Sequence, residues 1–394
     1  MMFHDPDAEA VRRILAGRPA LRRVVRARDA MRFGERELLH AGPPIARNCD
    51  ACVPIANSAI TAILFEEWAN DVDAARALFE AGEVQLCPAQ DRGCVVPLAD
   101  VVSPSMWLQE VIDLGSSHGA AFSPINGGSS HVLRVGVLSV DVLAHLRWLN
   151  RTFARAFSAT LSEPIPLVPV ADEGLAGGDD CHGRTAVATS ALASQLEARW
   201  IGADASACRD FMQRAPSFFL NLWMAASKCM LDAARGIDGS SVVIGAAGNG
   251  VDFGIRLASR PDAWINAAAE PPAVARGALT ADAMPLGAIG DSAVVDILGL
   301  GAMTTSASNE GARPAFADVL ADAIDAPRTL LAASNDAFTR TRPRMVVSAR
   351  RVVETRQTPI VSLGVLDKAG LRGRLAGGFY RAPLAVFERA HGRS

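Results

Sequence analysis

The sequence predicts an α+β protein in several parts. Two mixed portions, residues 1–141 and 237–394, flank a mostly helical one at 142–236. Three observations carry this expectation. At 394 residues the chain is too long for one ordinary core. Half of its residues are apolar, enough to fill sizeable cores and a subunit interface besides. Apolar residues recur at helical spacing through 142–236, whereas short β-branched runs broken by Gly, Pro and Ser dominate on either side. Aromatics are few, with a single tyrosine, Tyr380, so Ala and Gly carry much of the packing.

Taken in order, Ala8–Leu15 and Leu21–Met31 read as charged helices. The turn-rich His40-Ala41-Gly42-Pro43-Pro44-Ile45 follows Leu38-Leu39. Ile55–Trp68 has helical apolar spacing, and a second helix is expected at Val72–Ala81. Val95–Val102 and Val132–Val137 look like strands. The helical portion comprises Val142–Phe157, Thr185–Arg199 and Pro216–Arg235. Strands at Ser240–Ala246 and Phe253–Ala258 join through Gly248-Asn249-Gly250, since Asn and Gly tolerate positive φ. Helices at Ala293–Leu298 and Phe316–Ile324, with strands at Arg344–Val347 and Ile360–Gly364, complete the chain.

A formal net charge of −3, with basic residues scattered, provides no stripe for nucleic acid. The first residues, Met1 to Asp7, lack the layout of a signal peptide. The apolar stretch around Phe218–Leu231 is broken by Asn221, Ser227 and Lys228, too short and polar to span a bilayer. Seven cysteines without a regular framework suit a reducing compartment, so a cytoplasmic, soluble protein is expected. Cys49-Asp50-Ala51-Cys52 lacks the second ligand pair a zinc site needs, so neither metal nor cofactor is expected.

Four segments have the residue types for chemistry. Gly177-Gly178-Asp179-Asp180-Cys181-His182-Gly183-Arg184 precedes a helix. An acidic residue there can cap the helix, and its free N–H groups attract anions. Arg184 adds a planar fork for phosphate or carboxylate, and His182 can move protons near neutral pH. A plain cap with a solvated His and Arg is the alternative. Gly290-Asp291-Ser292 repeats the pattern before Ala293–Leu298. The turn carrying Asn249 and Gly250 leads to Arg256, and its glycines let a ligand approach the backbone. On the helix Ser217–Ala234, Asn221, Lys228 and Asp232 share one narrow face. A buried Lys228 must be paired, either with Asp232 or with a ligand's anionic group.

These segments, in this order, resemble the family of the AllG subunit of oxamate carbamoyltransferase over nearly the whole chain. The landmarks are Leu38-Leu39-His40-Ala41-Gly42-Pro43-Pro44, Leu64-Phe65-Glu66-Glu67-Trp68-Ala69 and Ser105-Met106. Then come Gly178-Asp179-Asp180 with His182 and Arg184, and Phe218-Phe219-Leu220-Asn221-Leu222 with Lys228. Asn249-Gly250, Phe253-Gly254-Ile255-Arg256, Gly290-Asp291-Ser292-Ala293, Arg350-Arg351-Val352-Val353-Glu354-Thr355 and Arg381-Ala382-Pro383-Leu384 follow. The resemblance implies carbamoyl transfer: oxalurate plus phosphate giving oxamate plus carbamoyl phosphate. It also implies partner subunits resembling an acyl-CoA synthetase. Where the family usually has a glycine-proline-methionine loop, the chain reads Asp50-Ala51-Cys52-Val53-Pro54-Ile55. Adjacent histidines near Pro88 are replaced by Ala89-Gln90-Asp91, the next glycine-rich loop reads Val96-Pro97-Leu98-Ala99-Asp100, and an expected Asn-Glu-Gly is Asn126-Gly127-Gly128. The chain is therefore a divergent member of the resemblance.

The leading expectation is a transferase subunit moving a carbamoyl or related acyl group between phosphate and a small nitrogen nucleophile, working as a homo- or hetero-oligomer. Arg184, Arg256 and Lys228 would hold anionic groups, with Asn221 beside Lys228. His182 would carry the proton and Asp180 would orient it. The turns at Asn249-Gly250 and Asp291-Ser292 would supply backbone N–H donors to an oxyanion. Amide or ureido bond formation in a specialised biosynthetic pathway, or a non-catalytic scaffold role, are the alternatives.

Overall fold

The computed structural model describes residues 5–116, 119–305 and 319–392. It is an α+β protein whose helices and small, mainly antiparallel sheets interleave along the chain. The helix Pro6–Ala16 opens with Asp5, whose side chain accepts from the Asp7 N–H, and with Pro6 in the first turn where its missing N–H costs nothing. Residues 19–26 then form a strand, Pro19–Arg26, and not the expected helix. It pairs antiparallel with Trp107–Asp113, and a bulge between Leu21 and Arg23 shifts the register. The bulge spaces the buried Leu21, Val24 and Val25 at three and four residues, which imitates a helix in the sequence. The full sheet runs Ala121–Pro124, Trp107–Asp113, Pro19–Arg26, Ile165–Pro166.

The helix Phe218–Asp232 packs against this sheet and is buried along nearly its whole length. Its other neighbours include the helices Pro6–Ala16, Leu167–Ala176, Ala186–Leu196 and Ala293–Leu298. A second sheet orders Arg260–Ala268, Asp252–Leu257, Val243–Asn249 and Ile289–Gly290, all antiparallel. The short helix Ala293–Leu298 leaves its edge and wedges between this sheet and Phe218–Asp232. A three-stranded sheet of Gln85–Pro88, Glu37–His40 and Val101–Val102 carries the helices Val53–Phe65 and Val72–Glu80. A hairpin, Ile360–Leu366 with Arg374–Arg381, closes the C-terminal side.

Other expected elements shift in ways the chemistry explains. Of Val95–Val102 only Val101–Val102 joins a ladder, because Pro97 cannot donate a ladder bond. Val132–Val137 contains a single 3-10 turn, Leu133–Val135, ended by Gly136 at φ +66°. The helix expected from Val142 to Phe157 continues through a π turn, Leu149–Phe153, into Ala154–Thr160. There the Asn150 amide accepts from the Trp107 N–H and donates to the Leu146 carbonyl. Of the helix expected at Phe316–Ile324, residues 316–318 lie outside the described residues, and 321–323 form one 3-10 turn.

The largest core runs from Ala10 to Val346 and draws residues from all three sequence portions. The division at 141 and 236 is thus a proposal about chain order, and cores cross both borders. No helix among the described residues is long and apolar enough to cross a membrane.

Candidate functional site

The segment 177–184 folds as a self-contained loop. The helix Leu167–Ala176 stops at Gly177, Gly178 takes φ +100°, and Cys181 holds φ +65°. The left-handed Cys181 is strained for a non-glycine residue and persists because the loop is bonded on all sides. The Asp180 carboxylate accepts the N–H groups of His182 (2.8 Å) and Arg184 (2.9 Å). Its own carbonyl accepts from Gly301 N–H at 2.7 Å. Capping of the following helix falls to Asp179, which accepts from Ala188 N–H at 2.8 Å.

The imidazole of His182 is nearly buried, and its Nδ1 lies 2.6 Å from Oδ2 of Asp296. Asp296, wholly buried, also accepts the N–H groups of Ala302 (2.8 Å) and Ser362 (3.2 Å). Asp296 therefore orients the ring, and this corrects the sequence expectation, which gave that part to Asp180. Asp180 shapes the backbone of the loop instead. Burial by itself would lower the pKa of His182, yet the opposing charge and bond of Asp296, with Asp180 beyond, raise it above the usual imidazole value.

His182 opens onto a cavity of about 430 Å³. Of the residues singled out in the sequence, Asp180, His182, Arg184 and Ser292 line it. Arg184 lies 3.7 Å from Asp180 and is 44 % exposed at its side chain. Gly290 enables the approach of the 290–292 turn: it holds φ +116°, and a Cβ there would meet the Leu98 nitrogen at 2.7 Å. Leu98 also lines the cavity. The 177–184 loop and the 290–292 turn thus both contribute to the cavity wall, and the 249–250 turn does not.

The remaining expected residues have partners elsewhere. Arg256 is buried, pairs with Asp91, and stacks its guanidinium 4.4 Å from the centre of the Trp264 ring. Lys228 bonds Asp232 at 2.5 Å, the pairing that burial demands. The Asn221 amide donates to the Pro124 carbonyl and accepts from Asn126. Asn249 folds its own turn, accepting from Val251 and Asp252 N–H groups and donating to the Pro43 carbonyl. Gly250 N–H bonds the Ala288 carbonyl. Asp291 accepts from Gly42 N–H, Gln90 and Val96 N–H, and burial pushes its pKa up to about 6. None of these six lines the cavity. Asn249, Arg256 and Asp291 tie the second sheet to the His40–Pro44 loop and to the Ala89–Asp91 turn, while Asn221 and Lys228 serve the helix Phe218–Asp232.

Three groups escape a reading of motifs: Arg134 and Arg374, which line the cavity, and Asp296, which stands behind His182. Asp296 does leave a trace in the sequence, as the lone carboxylate in the apolar Ala293–Leu298. A buried charge in such a segment must have a partner. The arginines leave none, since they sit on a 3-10 turn edge and on a hairpin strand. Among the described residues no group of three His, Cys, Asp or Glu side chains is placed to hold a metal ion.

Fold and cavity together define a class: an α+β protein with an arginine-lined cavity and, at its wall, an imidazole backed by a buried carboxylate. The family described as "Oxamate carbamoyltransferase subunit AllG" matches residues 84–292. The oxamate carbamoyltransferase subunit AllG of Escherichia coli (strain K12) is 31% identical over 376 residues, covering 90% of this chain and 88% of that protein. The chain belongs to the AllG family. The uncharacterized protein YahG of the same organism is 25% identical over 408 residues, covering 98% of this chain and 84% of its own. A crystal structure of a conserved protein of unknown function from Enterococcus faecalis V583 shares the fold. Its TM-score is 0.89 at 24% identity, with 98% of this chain and 96% of that chain covered.

Proposed function

We propose that the chain is the subunit in which a carbamoyl group moves between phosphate and a small, carboxylate-bearing nitrogen compound. The observation that carries the reading is the His182–Asp296 pair on the wall of a cavity that Arg184 also lines. Asp296 occupies Nδ1, so proton exchange with a ligand falls to Nε2. In the direction that forms carbamoyl phosphate, a phosphate oxygen bonds the carbamoyl carbon and the carbon–nitrogen bond breaks. The leaving nitrogen takes the proton of His182, whose hold on that proton the Asp296 carboxylate strengthens. In reverse, neutral His182 accepts a proton from the attacking nitrogen as phosphate leaves. Arg184 holds the phosphate group through its planar fork. The family relative is named as a subunit of a carbamoyltransferase, which supports this reaction. The word subunit in that name also supports assembly with further subunits, which we propose to be of the acyl-CoA-synthetase-like kind.

The test is carbamoyl phosphate formation from oxalurate and phosphate by the chain with its partner subunits. His182→Gln is expected to lower kcat roughly 100-fold or more while leaving the fold intact. Arg184→Ala is expected to cost about 2–4 kcal/mol of transition-state stabilisation, with Arg184→Lys restoring little because an ammonium lacks the fork. An assembly that turns over equally well with His182→Gln would sink the proposal and leave the chain a scaffold.

A further inference from the structure

We propose that Arg134 and Arg374 form a carboxylate subsite, separate from the phosphate position at Arg184, that selects acidic nitrogen co-substrates. The inference rests on the transferase reading above and assigns residues that neither the motifs nor that reading used.

Both arginines line the cavity that His182 and Arg184 line. Arg374 stands on the hairpin Ile360–Leu366/Arg374–Arg381, where a bulge leaves Leu375 without a partner, between the pairs Val365–Ala376 and Leu366–Arg374. Gly364 and Gly377 face each other in that ladder. A Cβ on Gly364 would come within 3.3 Å of Arg374 Nε, and one on Gly377 within 3.2 Å of its Nη2. The paired glycines thus clear the floor on which the guanidinium lies. Its Nε donates to the Ala376 carbonyl at 3.1 Å, which fixes the fork's direction.

Arg134 comes from the 3-10 turn Leu133–Val135, and its guanidinium donates to the Gly128 carbonyl. Burial lowers its pKa to about 10; Asp100 works against the shift and the like charge of Arg374 adds to it. Two guanidinium groups that repel each other therefore face one space. Among the described residues neither makes an ion pair at contact distance, and Asp100 acts on Arg134 from further off. Arg184, by contrast, stands 3.7 Å from Asp180. Asp100 offsets part of the charge of Arg134 from beyond ion-pair distance, and an anion bound between the two guanidinium groups would offset the rest.

Proximity to His182 decides which anion. The charge of Arg374 reaches the imidazole, opposing its protonation. The nitrogen that exchanges a proton with His182 must stand at that ring. In an acceptor such as oxamate the carboxylate adjoins the amide that bears this nitrogen. The carboxylate consequently falls on the Arg374 side, and a planar carboxylate matches a guanidinium fork.

Calorimetric titration of the full chain with sodium oxamate, and separately with inorganic phosphate, tests the assignment. Arg374→Gln and Arg134→Gln are expected to weaken oxamate about tenfold or more, with phosphate within about twofold. Arg184→Ala should do the reverse. Arg374 is exposed and bonded locally, so its variant keeps the fold even if Arg134→Gln does not. Equal weakening of both ligands by Arg374→Gln, or weakening of neither, overturns the separate subsite. Wild-type protein that binds phosphate but not oxamate overturns the subsite alone. Wild-type protein that binds neither overturns the transferase reading and the subsite with it.

Discussion

The behaviour of the site turns on one buried bond, from His182 Nδ1 to Asp296 Oδ2. Because the folded pKa of His182 lies above its unfolded value, the pair's contribution to stability is complete below the unfolded imidazole value, and it is lost as pH rises through the folded one. The raised pKa of Asp296, caused by burial against the pull of His182, acts in the same direction. Urea titrations from pH 6 to 9 are expected to show stability falling with pH, and falling less in Asp296→Asn. That variant should also move the basic limb of the rate profile to lower pH, since the carboxylate no longer favours the imidazolium. An unmoved limb would mean that another group supplies the proton. At this scale the sequence was legible for His182 and Arg184, whose neighbours are a loop and a helix start. It was opaque for Arg134 and Arg374, because nothing local marks a residue whose partner is a cavity. Arg256 misled for a related reason: an arginine after a glycine turn looks like a donor to anions, while its partner Asp91 lies far off in sequence and Trp264 meets it only across a hairpin.

Among the elements, the helix Phe218–Asp232 shows how one polar face can serve packing alone. Lys228 is fully buried, while the side chain of Asp232 is 23% exposed. Removing the lysine leaves a carboxylate that water reaches, whereas removing the carboxylate strands a buried ammonium. Asp232→Ala is therefore expected to cost about 3 kcal/mol or more, and Lys228→Met clearly less, by urea denaturation. Phosphate binding unchanged in Lys228→Met would assign the lysine to structure; a large loss would return it to the site. The turn at 290–292 gives the opposite case, in which backbone geometry serves the cavity. Gly290→Ala should cost about 1–3 kcal/mol from the positive φ alone, and the clash with Leu98 adds to it. Most helices were legible from periodicity, since their apolar faces meet other elements. The strand Pro19–Arg26 was not, because its bulge disguises a period of two. The strands at 95 and 132 were overread because β-branched runs also occur in irregular segments that pack under a helix.

For the whole molecule, the ordered landmarks were the strongest signal, and the family and the α+β class follow from them. The interleaving of the parts was hidden, since it depends on contacts far apart in the chain. Residues 142–236 supply the helix Phe218–Asp232, which covers the sheet formed largely by 19–124 and also holds Ala293–Leu298 of the last portion. The cavity has the same composition: Arg134 comes from the first portion, His182 and Arg184 from the second, and Ser292 and Arg374 from the third. Asp296 reaches His182 across the second border, and the Ser362 N–H donates to Asp296. An apolar helix buried on nearly every side has no solvated face to present if the flanking portions are removed. The three portions are therefore expected to unfold together, and calorimetry should record one transition whose van't Hoff and calorimetric enthalpies agree. A fragment of residues 142–236 should aggregate or lose its helices. Two resolved transitions, or a fragment that keeps native helicity and stays monomeric, would show that the portions hold their own cores. The cavity would then be a joint between separate units, and its shape would vary with their approach.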